Sequence, residues 1–234
     1  MKWDSTRIEI LVLVILSVLF PFLITNYSNS LGSFYSILSV ISIGYLLLDS
    51  KRDIQFKNPS NSWITSALIA LVAIGLFLVL SNLIIIPGTQ SVLKLLGASS
   101  PILSNNVLIN KIVFGILVPI GETLFFFVYL FDLLASLFNI EINKQNLKNP
   151  KLWLLIVSIA FVFMFYHLQA KLAGVPLEQA VPILVVVWFM AIFSLLLVTW
   201  FKEAVQAILF HCGLNSLAIG LIPFAILNSM GLVS

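Results

Sequence analysis

Two histidines, the only ones in the chain, and one glutamate lie deep within long apolar runs. His167 ends the run FVFMFYH, His211 ends the run AILFH, and Glu122 lies within PIGETLFFFVYL. An ionisable side chain at membrane depth costs several kcal/mol, so its presence indicates a functional site by default. Three such groups that converge in one helical bundle would form a proton-handling or metal-binding centre. We therefore expect them to lie within about 8 Å of one another, close enough to share a water molecule.

A fourth polar residue extends this set. Asn215 follows His211 by four positions, so the two side chains share one helical face. Two hydrogen-bonding groups on one face can bind a polarised carbonyl oxygen. Cys212 lies on a different face and has no basic neighbour there, which argues against a nucleophilic thiol.

Pro119 lies three positions before Glu122 and disturbs the same helix. Its ring nitrogen has no hydrogen to donate, so the carbonyl of Gly115 loses its partner within the helix. Such a position is a usual cause of a kink. A kink beside a buried carboxylate predicts an opening for a wet pocket.

The composition is that of a membrane protein. Hydrophobic residues make up 61% of the chain and charged residues 9%, with a mean hydropathy of +1.14, whereas soluble chains contain about 25% charged residues. Since a transmembrane helix needs about 20 apolar residues, the chain has room for about seven or eight spans. We interpret residues 1–234 as a single integral membrane domain, an all-α polytopic transmembrane bundle. The net charge of +3 is too small and dispersed to indicate nucleic acid as a partner.

Apolar runs separated by polar, Pro or Gly residues predict the individual helices. These runs are 8–25, 33–49, 63–86, 107–139, 152–170, 180–201 and 204–227. The stretch 87–106 predicts a loop with a short interfacial or re-entrant helix. Basic residues cluster before the first span and in the loops after the second and fourth, which predicts a cytoplasmic N terminus in a plasma membrane protein.

The depth of the two histidines constrains the last helix. At about 1.5 Å per residue, His167 lies about 20 Å from the cytoplasmic end of its span and His211 about 12 Å from the end of its own. A site that contains both side chains therefore requires the last helix to be tilted, displaced or partly re-entrant.

Three segments, in the same order along the chain, resemble the motifs of one family, the CPBP (CAAX protease and bacteriocin-processing) intramembrane proteases. VPIGETLFFFVYL at 118–130 resembles the family's PIxEExxFRG motif, and FMFYHL at 163–168 resembles its second motif. AVQAILFHCGLNSLA at 204–218 resembles its final HxxxN motif. The similar region spans about 107–220 and implies an intramembrane endopeptidase that acts on a membrane-associated peptide or protein.

The resemblance also implies a role for each polar residue. Glu122 would activate the attacking water with help from His167, while His211 and Asn215 would stabilise the oxyanion. In a variant of this mechanism, Glu122, His167 and His211 bind a zinc ion with an open position for water. The sequence does not separate the two mechanisms, and we adopt the metal-free one.

Two positions depart from the family pattern: Thr123 replaces the second glutamate and Phe127 replaces the arginine. Phe127 lies about 140° around an α-helix from Glu122, so we expect it to point away from the attacking water. Thr123 is adjacent to Glu122 and is expected to lie on another face. The two changes then alter packing or substrate grip rather than the base.

The same departures leave other functions open. A catalytically degenerate homologue could serve as a scaffold or subunit of a membrane complex, with membrane lipid and other membrane proteins as its partners. A proton-coupled transporter is a further alternative, because chains of Glu and His relay protons in membranes.

Overall fold

A computed structural model describes residues 54, 62–85, 89–98, 107–170 and 176–221. The regular elements of these residues are helices, which confirms the predicted all-α membrane bundle. The α-helical segments, numbered in chain order, are α1 (Trp63–Ile84), α2 (Thr89–Ala98), α3 (Val107–Ile112), α4 (Val118–Glu122), α5 (Phe131–Leu137), α6 (Pro150–Ala170), α7 (Leu177–Phe201) and α8 (Ala204–Ala218).

Four helical stretches are long and apolar enough to cross a membrane. They are α1, the stretch Val113–Leu137, the stretch Pro150–Leu168 in α6, and α7. They match the predicted runs 63–86, 107–139, 152–170 and 180–201 in type and approximate extent. The predicted spans 8–25 and 33–49 lie outside the described residues.

The outward face of α1 is that of a lipid-facing helix. Ala70 and Phe77 are buried against the bundle, whereas the side chains of Val72 and Leu83 are 71% and 76% exposed. Large aliphatic side chains exposed to this extent along a membrane-length helix are solvated by lipid tails. The exposed apolar surface and the predominance of apolar helices identify an integral membrane protein.

A continuous helical rod, 107–137, forms the centre of the bundle. Two π-helical segments, Val113–Leu117 and Thr123–Leu130, join α3, α4 and α5 into this rod. In an apolar 18-residue segment of the rod 78% of the residues are buried, against 33% and 50% in the corresponding segments of α1 and α7. The rod therefore places Glu122 where other helices surround it.

The first π-helical segment accommodates Pro119. Val118 donates its N–H to the carbonyl of Val113, five positions back, so the turn is one residue wider than in an α-helix. The carbonyl of Gly115, which the proline leaves without its usual donor, accepts a hydrogen bond from the hydroxyl of Ser216 at 3.1 Å. The predicted release of this carbonyl is confirmed, and the helix α8 satisfies it.

The helix α8 is shorter than the predicted run 204–227. It ends in a turn where Gly220 has φ +68° and the N–H of Leu221 donates to the carbonyl of Ser216 at 2.8 Å. This pattern is a Schellman motif, which requires the left-handed conformation that glycine adopts at little cost. With 15 residues, α8 is about 22 Å long, shorter than the ~30 Å hydrocarbon core.

The start of α8 explains how two histidines at different depths can approach each other. The left-handed Lys202 (φ 55°) ends α7 and turns the chain into α8 within two residues. Residues 203–208 are all buried, so α8 begins inside the bundle and not at its surface. A start inside the bundle is compatible with one of the arrangements expected for the last helix, a displaced one.

The helix α2 lies within the stretch 87–106, where a short helix was predicted, and packs against α7 and α8. A methyl group added at Gly97 would lie 2.7 Å from the carbonyl oxygen of Ala218. Since this oxygen belongs to the backbone, it cannot move aside as the tip of a side chain would.

We expect Gly97→Ala to destabilise the protein by about 1–3 kcal/mol, the cost of overpacking a tight contact. The matched control is Gly75→Ala, because a methyl group at Gly75 meets nothing within 4 Å. This second variant is expected to be neutral or to stabilise α1 by up to about 1 kcal/mol. Unfolding titrations in detergent measure both, and equal effects would contradict the contact between α2 and α8.

Candidate active site

Glu122 and His211 form a buried pair between the rod and α8. Glu122 is the last residue of α4, and its side chain is fully buried. The side chain of His211 is 1% exposed. The carboxylate oxygen Oε2 lies 3.6 Å from the ring nitrogen Nε2. This separation is longer than the 2.7–3.2 Å of a direct N–H···O hydrogen bond. The carboxylate and the ring nitrogen are thus in close contact, at a separation beyond that of a direct hydrogen bond.

Thr123 contacts the other nitrogen of the same ring. Its hydroxyl oxygen lies 3.1 Å from Nδ1 of His211, and the pair is buried. Thr123 was expected to lie on another face than Glu122, and it nevertheless reaches the same imidazole. Neighbouring residues of the rod can both reach the imidazole because its two nitrogens lie on different edges of the ring.

Phe127 also lies beside His211. Its side chain is fully buried, and its ring centroid is 6.1 Å from that of the imidazole. The expectation that this position points away from the site is wrong because it assumed an α-helix. In the π-helical segment Thr123–Leu130, hydrogen bonds run from residue i to i+5, so a residue five positions on returns to nearly the same side.

His167 is buried near the end of α6, with 2% of its side chain exposed. Its Nδ1 lies 3.0 Å from the carbonyl oxygen of Phe163, one turn earlier. A carbonyl only accepts hydrogen bonds, so Nδ1 donates and, in a neutral ring, Nε2 retains its lone pair. The ring of His167 therefore lies inside the bundle.

Phe163 brings the two histidines into one aromatic cluster. Its ring centroid lies 4.4 Å from that of His167 and 6.0 Å from that of His211. Phe127 packs on it as well, at 4.9 Å. The sequence interpretation did not identify Phe163, although its position four residues before His167 places both on one helical face. The ionisable groups of the site are therefore packed against aromatic rings.

Asn215 is partly buried and bonded to the rod. Its Nδ2 donates to the carbonyl of Phe114 at 3.3 Å, which uses one of the two N–H groups of the amide. The Sγ of Cys212 lies 3.6 Å from the carbonyl of Ile116. Together with the bond from Ser216 to Gly115, three successive carbonyls of the rod accept hydrogen bonds from α8.

A groove of about 460 Å³ runs between α1, the rod and α8. It is lined mainly by apolar side chains, among them Ile74, Ile116, Ile120 and Ile208. Glu122, His167, His211 and Asn215 are not among its lining residues. A wet pocket was expected beside Pro119, whereas this groove has mainly apolar walls.

The zinc variant can be tested against the donor set. Zinc requires three protein ligands at about 2.0–2.3 Å in a catalytic site. Glu122 and His211 approach each other closely enough to share an ion, but within residues 62–85, 89–98, 107–170 and 176–221 no three His, Cys, Asp or Glu side chains are placed to hold one. The described residues therefore do not provide the three ligands that a catalytic zinc ion needs.

Comparison with protein families identifies the segment that contains the site. Residues 104–217 match the family of Rce1-like proteins, described as type II CAAX prenyl endopeptidase Rce1-like. No curated protein and no solved structure matches the chain significantly. The matched segment contains the rod, α6, α7 and nearly all of α8, and with them Glu122, His167, His211 and Asn215. This segment therefore belongs to the CPBP family of CAAX-type intramembrane proteases, with threonine and phenylalanine at two charged motif positions.

Proposed function

We propose that the protein is an intramembrane endopeptidase that hydrolyses a membrane-associated peptide without a metal. The observation that supports this most directly is the buried contact of 3.6 Å between Glu122 and His211, inside the segment that matches the family. A carboxylate and an imidazole buried among aromatic side chains are costly to place there. A role in hydrolysis accounts for their presence, whereas apolar side chains would suffice for packing.

The first step is the activation of water. Glu122 accepts a proton from a water molecule as general base, and the hydroxide attacks the carbonyl carbon of the scissile peptide bond. His167 assists through Nε2, whose lone pair accepts the second hydrogen of the same water, because its Nδ1–H is held by Phe163.

The second step places negative charge on the former carbonyl oxygen. The N–H at Nε2 of His211 and the second N–H of Asn215 donate to this oxyanion. This nitrogen of His211 lies 3.6 Å from the carboxylate of Glu122, so the oxyanion donor and the base are neighbours in the proposed site. When the tetrahedral intermediate collapses, Glu122 returns its proton to the leaving amine as the C–N bond breaks.

In this proposal the protein lies in the plasma membrane with a cytoplasmic N terminus, and residues 1–234 form one integral membrane domain. The basic residues before the first span and after the second and fourth spans support this orientation. The substrate in this proposal is a peptide or protein held at the membrane, since the catalytic groups are surrounded by apolar helices.

A catalytically degenerate homologue that acts as a subunit of a membrane complex is the second candidate. The loss of two charged motif positions, at Thr123 and Phe127, favours it. The same experiment distinguishes the two functions, because only the peptidase cleaves a substrate.

The test is cleavage of candidate membrane peptides by the purified protein in liposomes, with the products identified by mass spectrometry. We expect cleavage by the wild type and a loss of about 10²–10³ in rate for His211→Ala, since one oxyanion donor is removed. A wild type that cleaves no candidate while it copurifies stoichiometrically with other membrane proteins supports the subunit function. Equal cleavage by wild type and His211→Ala overturns the proposed site.

A further inference from the structure

The hydroxyl of Thr123 lies on the side of the His211 ring that the proposed mechanism does not use. Both residues are buried, and the distance between Oγ1 and Nδ1 is 3.1 Å. Glu122 faces the opposite nitrogen, Nε2. Two neighbouring residues of the rod therefore contact the two nitrogens of one imidazole, one with a carboxylate and one with a hydroxyl.

The chemistry of these two groups determines where the ring hydrogen lies. An ionised carboxylate only accepts, so the nitrogen that faces Glu122 is favoured to hold the hydrogen. A neutral imidazole has one N–H, so Nδ1 then needs a donor. The hydroxyl of Thr123 supplies it, because a hydroxyl can rotate to donate or to accept.

We propose that Thr123 is a positioning residue that donates its hydroxyl hydrogen to Nδ1 and thereby holds His211 as the neutral ring with its hydrogen on Nε2. This inference rests on the proposed function only in that Glu122 is ionised before it takes a proton from water. The N–H directed at the reacting centre is the one that donates to the oxyanion.

Threonine and glutamate at position 123 would have different effects on the protonation of His211. A glutamate at 123 would face Nδ1 with a group that only accepts, which demands a hydrogen on Nδ1. The ring would then either lose the hydrogen from Nε2 or become a charged imidazolium. Threonine instead permits the neutral ring with Nε2–H, because its hydroxyl can donate to Nδ1.

The two histidines of the chain make this inference directly measurable. His167 holds its hydrogen on Nδ1 through the carbonyl of Phe163, while His211 is expected to hold its hydrogen on Nε2. Nitrogen-15 NMR of the full chain in nanodiscs, labelled only at histidine, therefore shows two rings with opposite tautomers. The variants His167→Gln and His211→Gln each remove one ring and so assign the signals.

In the wild type we expect the signals of His211 to show a bare Nδ1 and a protonated Nε2. Thr123→Val keeps the shape but removes the hydroxyl, so His211 is expected to become a mixture of tautomers, while His167 stays unchanged. Thr123→Ser restores the wild-type spectrum. A wild-type His211 with its hydrogen on Nδ1, or a Thr123→Val spectrum identical to wild type, overturns the proposal.

Catalysis gives a second readout once a cleaved substrate is known. Thr123→Val is expected to lower kcat about tenfold with little change in KM, and Thr123→Ser to recover it. The NMR result does not depend on cleavage. If the wild type cleaves nothing but His211 shows Nε2–H, the proposed function fails while the role of Thr123 as a positioning residue stands.

Discussion

Glu122→Gln is expected to lower the rate of peptide cleavage by about 10²–10⁴, the range for removal of a general base. Glutamine has nearly the same shape as glutamate, so it still fills the buried position between the rod and α8. Its amide cannot take a proton from water at neutral pH. The liposome cleavage assay measures kcat directly, and detergent unfolding shows whether the fold has changed.

Glu203→Gln provides a matched control for this experiment. Glu203 is also a buried glutamate, 1% exposed, whose Oε2 accepts a hydrogen bond from Gln206 at 2.8 Å. It precedes His211 by eight positions, about 12 Å along a helix, and has no part in the proposed mechanism. We expect near wild-type cleavage for this variant. Equal losses in both variants would mean that any buried carboxylate matters, and would remove the assignment of Glu122 as base.

The second large effect concerns Asn215. If Asn215 donates to the oxyanion, Asn215→Ala is expected to lower kcat by about 10²–10³. A purely structural role would instead follow from its bond to the carbonyl of Phe114. The two roles predict different kinetics, because loss of a structural bond changes stability far more than kcat.

Ser216→Ala separates these two roles. Ser216 is the next residue of α8 and makes the same kind of bond, from its side chain to the neighbouring carbonyl of Gly115. Its loss is expected to reduce stability by about 1 kcal/mol and to leave kcat nearly unchanged. If Asn215→Ala resembles Ser216→Ala in both stability and kcat, Asn215 only attaches α8 to the rod.

Much of the fold follows from hydropathy. The four membrane-length helices in the described residues appear in the sequence as uninterrupted apolar runs. The burial of Glu122, His167 and His211 also follows, since each lies within such a run. The early end of α8 was marked by Gly220, whose left-handed conformation breaks the helix inside an otherwise apolar segment.

The position of Phe127 could not be predicted because it depends on helix type. Every angle around the rod was derived for an α-helix, whereas residues 123–130 form a π-helix. Over five residues the difference brings Phe127 from the far side of the helix to the side of His211. Pro119 signals a disturbance in this helix, but the sequence does not show that wide turns continue beyond Glu122.

Three side-chain hydrogen bonds hold α8 against the rod. They join Asn215, Ser216 and Cys212 to successive carbonyls of the rod. Each is worth about 0.5–1.5 kcal/mol when the groups can rebond to water, and more when lipid replaces it. Parting the two helices would break all three at once and leave bare carbonyls facing hydrocarbon. Separating α8 from the rod is therefore costly, and in the proposed peptidase a peptide would reach Glu122 from another side of the bundle.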